Sequence, residues 1–310
     1  MNTPASHRVL LTLYPRAWRA RYGEELTDLV AGMRAAGVNP WRIRANVVRA
    51  ASVERLRAAE VVGDGPAPAR ARGGSLMVLW AWALFVLAGC TVQKFAEHWS
   101  DTVAPGNRRL PAMAFGVLVG SALCAAVLMA SALTLAVPRL VGGLRSGLWP
   151  RLHRRVTVAT GLSVAAGVCT IGLLARASDL TARQRNGHDL AYAVDFLAWT
   201  ALGAACLVAW TAVASAAARG IELPDRLLRF QAGLCAGVTT AMVAMTAATI
   251  TWWIALARQA PWVLHGRPAG APASGYVGTL AVAVVAMAAA TGLGAAGSRR
   301  SARAVRELAG

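Results

Sequence analysis

The chain has 310 residues, 56% of them hydrophobic and 15% charged, and 32 basic residues face 14 acids for a formal charge of +18. A soluble domain carries roughly a quarter charged residues, so this composition excludes an ordinary soluble enzyme. Long apolar runs beside the arginines also argue against a nucleic-acid-binding protein, and leave an all-α polytopic membrane protein with its charges confined to loops.

In chain order, residues 1–61 read as a small cytoplasmic helical hairpin module. Thr3-Pro4 opens a short helix, with Pro tolerated in the first turn. Another helical stretch is expected from Pro15 through Met33, with Leu26, Leu29, Val30 and Met33 at i, i+3, i+4 and i+7. Gly37 is placed to end it, and Asn39-Pro40 reads as the N-cap and first residue of the next helix. That helix, Trp41–Ala59, carries Trp41, Ala45, Val48, Ser52 and Leu56 on one stripe, with most arginines elsewhere. Residues 62–74, rich in Gly, Pro and Arg, read as a linker.

Residues 75–297 then hold six stretches long and apolar enough to cross a hydrocarbon core, which takes about 20 helical residues. They are expected at Ser75–Val92, Ala112–Val137, Val156–Ala175, Leu190–Ala217, Ala232–Ala257 and Tyr276–Ala296. The first such run begins near Ser75, so insertion is expected to start from that span rather than from a signal peptide. Residues 298–310 read as a basic cytoplasmic tail. Sorting the basic residues by loop places 24 on one side and 8 on the other. The positive-inside rule then puts both termini in the cytoplasm and the protein in a bacterial inner membrane. Trp149 falls near the inner interface, and Trp99, Tyr192, Trp252, Trp253, Trp262 and Tyr276 near the outer one. Gly116–Gly120 and Gly233–Gly237 have the spacing that lets helices approach closely.

The most distinctive string runs from Leu13 to Leu26: Leu13, Tyr14, Pro15, Arg16, Ala17, Trp18, Arg19, Ala20, Arg21, Tyr22, Gly23, Glu24, Glu25, Leu26. It resembles the prefix module, of pattern L-Y-P-x-x-[WF]-R-x-R-Y-G-x-E, found ahead of transmembrane segments in many actinobacterial membrane proteins and some exporter-type permeases. The resemblance covers about the first 60 residues and implies a permease-like membrane protein; on physical grounds Tyr14, Pro15, Trp18, Arg19, Arg21, Tyr22, Gly23 and Glu24 make sense as a docking element. Physically, Tyr14, Trp18 and Tyr22 recur every four residues on one helical face. That stripe serves either as the hairpin's own core, as a seat on the membrane surface, or as a dock for another protein. Arg16, Arg19 and Arg21 have Glu24, Glu25, Asp28 or lipid phosphates within reach. Six acids share residues 1–74 with twelve arginines, which argues against nucleic acid.

Chemistry-bearing sets are sparse. Cys90, Cys124, Cys169, Cys206 and Cys235 fall one per apolar stretch, without a C-x-x-C pair. His98, His188 and His265 fall one in each outer loop; three imidazoles with a carboxylate would suit zinc or copper if the loops converged, although no fixed ligand spacing links them. Asp195 lies about five residues inside the fourth span, where an ionisable group is costly and functional by default. Arg176, Lys94 and Arg258 are its candidate structural partners. No nucleotide loop, nucleophile elbow or catalytic set is present, so no cofactor is expected.

The leading expectation is a non-enzymatic regulatory or scaffolding membrane protein, its prefix module docking on a cytoplasmic partner or on anionic lipid headgroups of the bilayer. The first alternative is the permease subunit of an exporter powered by a separate ATPase. The second is a metal-dependent membrane enzyme.

Overall fold

A computed structural model describes residues 11–58, 65–95, 103–143, 147, 149–181, 184, 189–220, 224–259, 261 and 275–308. Among them the chain is helical throughout, without a strand, and is an all-α polytopic bundle preceded by a hairpin. We number the helices α1 (Arg16–Ala35), α2 (Pro40–Ala58), α3 (Ala67–Phe95), α4 (Arg109–Gly143), α5 (Trp149–Ser178), α6 (Leu190–Arg219), α7 (Asp225–Gln259) and α8 (Gly275–Glu307). A 3-10 turn at Pro105–Asn107 precedes α4. Helices α3 to α8 are each long and apolar enough to cross a membrane, making this a multi-pass membrane protein. In lipid, helices satisfy their own backbone hydrogen bonds, which is why such apolar runs fold this way.

The joint between α1 and α2 follows from three residues. Gly37 takes φ +76°, a left-handed conformation that a side chain disfavours. Its N–H donates to Arg34 O at 2.9 Å, and Val38 N–H to Met33 O at 3.0 Å. That pair of bonds is a Schellman closure of α1. The Asn39 carboxamide then accepts from Trp41 N at 2.9 Å and caps α2.

Several expected boundaries move outward; α5 begins at Trp149 rather than Val156, and α7 at Asp225 rather than Ala232. The segment 62–74, expected as a linker, is helical from Ala67 onward and forms the first two turns of α3. Likewise residues 298–307, expected as part of a basic tail beyond the last span, continue α8 without a break to Glu307. Each extension is held by the other. Ala71 and Ala304 pack with Leu228 of α7, each at most 2% exposed. The Arg70 guanidinium grips the Glu307 carboxylate with both nitrogens. Helix α4 likewise continues through Pro138 to Gly143 instead of stopping at Val137. Proline removes one hydrogen bond but does not forbid helix on both sides.

Packing is uneven. Half of the apolar span of α7 is buried (50%), with 44% of α3 and 39% of α8, against 11% of α4, 6% of α5 and 11% of α6. The core is therefore the trio α3, α7 and α8. Phe85, Val238, Met242, Leu280 and Met287 fill it. Its tightest point is the crossing of α3 and α8, where a Cβ on Gly74 would lie 2.6 Å from Gly297 O and one on Gly297 2.7 Å from Gly74 O. Only glycine at both positions permits that approach. Of the glycine spacings singled out in the sequence, Gly237 meets Leu128 of α4, while Gly116, Gly120 and Gly233 face open space.

Hydroxyls tie α7 to α8. Ser298 Oγ donates to Cys235 O at 3.0 Å, with Thr239 Oγ1 at 2.8 Å from it, and Thr246 and Thr291 meet at 3.1 Å. Helix α4 lies along α7, its Ala114 packing with Trp252 and Leu256. Helices α5 and α6 form an antiparallel pair that reaches the core through α6, where Trp80 Nε1 of α3 donates to Ser215 Oγ at 3.2 Å.

Candidate functional site

Two places carry the residues singled out by sequence: the N-terminal hairpin, and the end of the bundle remote from it. In the hairpin, Pro15 occupies the N-cap position of α1 with φ −57° and ψ 148°, so the chain turns there instead of extending the helix backward. Tyr14 sits just ahead of that corner. Its ring is 3% exposed and its hydroxyl donates to Val47 O of α2 at 3.4 Å. Burial, and secondarily the Glu54 carboxylate, raise the Tyr14 pKa above its ordinary value of 10.0.

Trp18 stacks on Tyr14 with centroids 3.9 Å apart and rings 19° from parallel, and Tyr22 follows at 5.3 Å. With Leu13, Leu26 and Met33, Trp18 closes over a core of Tyr14, Val30, Ile43, Val47 and Ala51. Of the three roles open to the aromatic stripe, Tyr14 and Trp18 take the first: they form the hairpin's own core. Pro15 shapes the entry to it.

The remaining motif residues face outward or lie at the margin. Arg21 places its guanidinium 5.2 Å from the Tyr22 ring centroid, a cation–π contact. Arg19 is half-buried along α1 and Glu24 is exposed. Among the described residues no ion pair joins Arg16, Arg19 or Arg21 to Glu24, Glu25 or Asp28. Gly23 accepts a bond from Thr27 Oγ1 at 2.8 Å, but a Cβ there would meet nothing, and nothing in the structure explains why it is glycine.

The stripe of α2 that begins at Trp41 faces away from the hairpin core, and the side chains of Ser52 and Leu56 on it lie outside the described residues. Ile43, Val47 and Ala51 point into the core at 1%, 4% and 1% exposure, whereas Trp41 is 74% and Val48 46% exposed. Ala45 is exposed too, and so is Leu29, which the α1 pattern had placed inward. The physical reason is the partner. Tyr14 and Trp18 present a flat aromatic wall, and slim aliphatic side chains at i, i+4 and i+8 fit against it where an indole would not.

At the other end, Asp195 lies in the second turn of α6 and accepts from Arg176 Nη1, in the last turn of α5, at 2.6 Å. The second Arg176 nitrogen is 3.6 Å from Asp189 Oδ1. Asp189 is the N-cap of α6, accepting from Tyr192 N at 2.9 Å. A cation at the end of α5 and a carboxylate at the start of α6 both complement the helix dipoles. Arg176 thus straps the pair together, and among the three candidate partners it is the one bonded to Asp195. Three further contacts, invisible in the sequence, continue the seam. Trp199 Nε1 donates to Thr170 Oγ1 at 2.8 Å, Trp210 Nε1 to Ser163 Oγ at 2.9 Å, and Ser163 Oγ lies 3.2 Å from Cys206 Sγ.

His98, His188 and His265 lie outside the described residues. Among the described residues no group of three His, Cys, Asp or Glu side chains is placed to hold a metal ion. No family model, curated protein or solved structure matches this chain.

Proposed function

We propose that this is a non-enzymatic regulatory or scaffolding protein of a bacterial inner membrane, with both termini in the cytoplasm, whose N-terminal hairpin is a docking element. The observation that carries the reading is the division of labour within residues 11–58. The most motif-like residues, Tyr14 and Trp18, are spent on building a separate small core, and an arginine-bearing, partly apolar exterior is left outside it. Small helical hairpins with so little core gain stability by leaning on a second surface. The sorting of 24 basic residues to one side and 8 to the other supports the orientation. The likeness of Leu13–Leu26 to the actinobacterial prefix module supports a cytoplasmic module placed ahead of membrane helices.

Crosslinking in native membranes followed by pull-down, with the full chain and with a form lacking residues 1–62, tests this reading. Loss of specific neighbours on deletion is expected; an unchanged set of neighbours overturns it. A second reading, the permease subunit of an exporter driven by a separate ATPase, is favoured by the six membrane-length helices and the scant burial of α4, α5 and α6, which leaves apolar faces for lipid or another subunit. ATPase activity co-purifying with the protein would raise it above the first.

A further inference from the structure

We infer that the outward face of α2, made of Trp41, Ala45 and Val48 and flanked by Arg42, Arg44 and Arg49, seats on the anionic surface of the bilayer that holds this same chain. The inference rests on the reading of the hairpin as a docking element and names the surface it meets.

Geometry defines the face. At about 100° per residue, Trp41, Ala45 and Val48 fall within one narrow stripe, roughly 130° around the helix from the stripe of Ile43, Val47 and Ala51. The first stripe is exposed and the second is buried against α1. Arg42 and Arg49 lie on one flank of the exposed stripe and Arg44 on the other, all three exposed. Val38, just before the helix, is also exposed, at 38%.

Charge sets the partner's sign. From Val38 to Val53 the chain has three arginines and no acid. The last turn of α1, which leads into this end of the hairpin, adds Arg34. The exposed acids Glu24, Glu25 and Asp28 belong to the first two-thirds of α1, away from that end. A tryptophan bracketed by arginines on an apolar stripe is the composition of a helix lying in the headgroup layer. The indole sits at the acyl boundary while the guanidinium groups meet phosphates.

Reach decides between a membrane and a diffusing protein. Ala58 ends α2 and Ala67 begins α3, which is itself the first membrane-length helix. Nine steps of extended chain span at most about 30 Å. The hairpin is therefore tethered beside a bilayer from which it cannot diffuse, and a weak apolar and electrostatic contact becomes an intramolecular one at high effective concentration. A polybasic surface so held is attracted to anionic lipid within a Debye length.

The test uses the full chain in nanodiscs of phosphatidylcholine alone or of phosphatidylcholine with phosphatidylglycerol, read by amide hydrogen exchange. Peptides covering residues 38–50 are expected to exchange several-fold more slowly in the anionic discs, and added salt should reverse part of that protection. The paired change Trp41→Ser with Val48→Ser should abolish the lipid-dependent slowing, and Arg42→Gln with Arg49→Gln should reduce it. Unchanged exchange over residues 20–33 shows that the variants keep the hairpin folded. Equal exchange over 38–50 in both kinds of disc, or protection seen only in native membranes with other proteins present, overturns the proposal. Either result leaves the docking reading itself to the deletion experiment above, so the two failures are distinguishable.

Discussion

Gly74 and Gly297 are the residues on which the bundle closes, and neither belongs to a G-x-x-x-G spacing. A methyl group on Gly74 would stand 2.6 Å from Gly297 O and 2.7 Å from Ser301 N, both backbone atoms that cannot swing aside. Gly74→Ala is therefore expected to destabilise by about 1–3 kcal/mol, the usual scale of overpacking, and to lower the thermal unfolding midpoint in detergent. Gly116→Ala and Gly120→Ala, which meet nothing within 4 Å, should leave that midpoint unchanged. Tyr14 offers a second test at this scale. Its pKa lies above 10.0 in the fold, so the native state holds that proton more tightly than the unfolded chain does. The stabilisation is complete below the ordinary tyrosine value and is lost as pH rises through the raised one. Titration by tyrosinate absorbance should show a late-ionising phase that Tyr14→Phe removes. If Tyr14→Phe leaves the titration curve unchanged apart from amplitude, the ring is not buried as described.

The helical elements differ in how far local sequence specifies them. The α1–α2 joint was legible because each of its residues has one strong local reason. Gly37 supplies the left-handed turn and Asn39 the cap, and both act within four residues of themselves. Which face of α2 turns inward was not legible, since two apolar stripes run along that helix and only contact with Tyr14 and Trp18 selects one. The choice has measurable consequences. Ile43→Ala should cost the hairpin about 2–5 kcal/mol and raise exchange across α1 and α2 together, while Trp41→Ala should fall within about 0.5 kcal/mol in a neutral detergent. Asp195 shows the same limit in another form. Its position marked it as an acid needing a partner, but three cations were candidates, and the meeting of the last turn of α5 with the second turn of α6 selects Arg176. Because Arg176 also faces Asp189, replacing it leaves two carboxylates close together without a cation. Arg176→Gln should lower the melting temperature more than Asp195→Asn does, an ordering opposite to that expected if Asp195 mattered alone.

Across the whole molecule, the two ends of the bundle sequence are bound to each other. Apolar length alone located six membrane helices, since a run of that size needs only lipid to stabilise it. It could not reveal that residues 67–74 and 298–307 are also helical, because their arginines and glycines resemble solvated loops. What orders them is mutual contact between segments more than two hundred residues apart. Ala71 meets Ala304 and Leu228, Ser301 is wholly buried, and Arg70 holds Glu307. The first membrane-length helix is thus held against the last one, and α7 packs beside that pair with α4 along its other side. A free basic tail could be removed without consequence, and this one cannot. Deleting residues 298–310 takes away the Ser298 bonds to Thr239 and Cys235, the buried Ser301 and Ala304, and the partner of Arg70. The expected result is faster hydrogen exchange over residues 67–78 and 225–240, with a lower melting temperature. The α5–α6 seam, held by its own tryptophan and arginine contacts, should be little altered. Replacing all four tail arginines by glutamine while keeping the chain length separates charge from packing. If packing governs, that variant retains the slow exchange that the deletion loses.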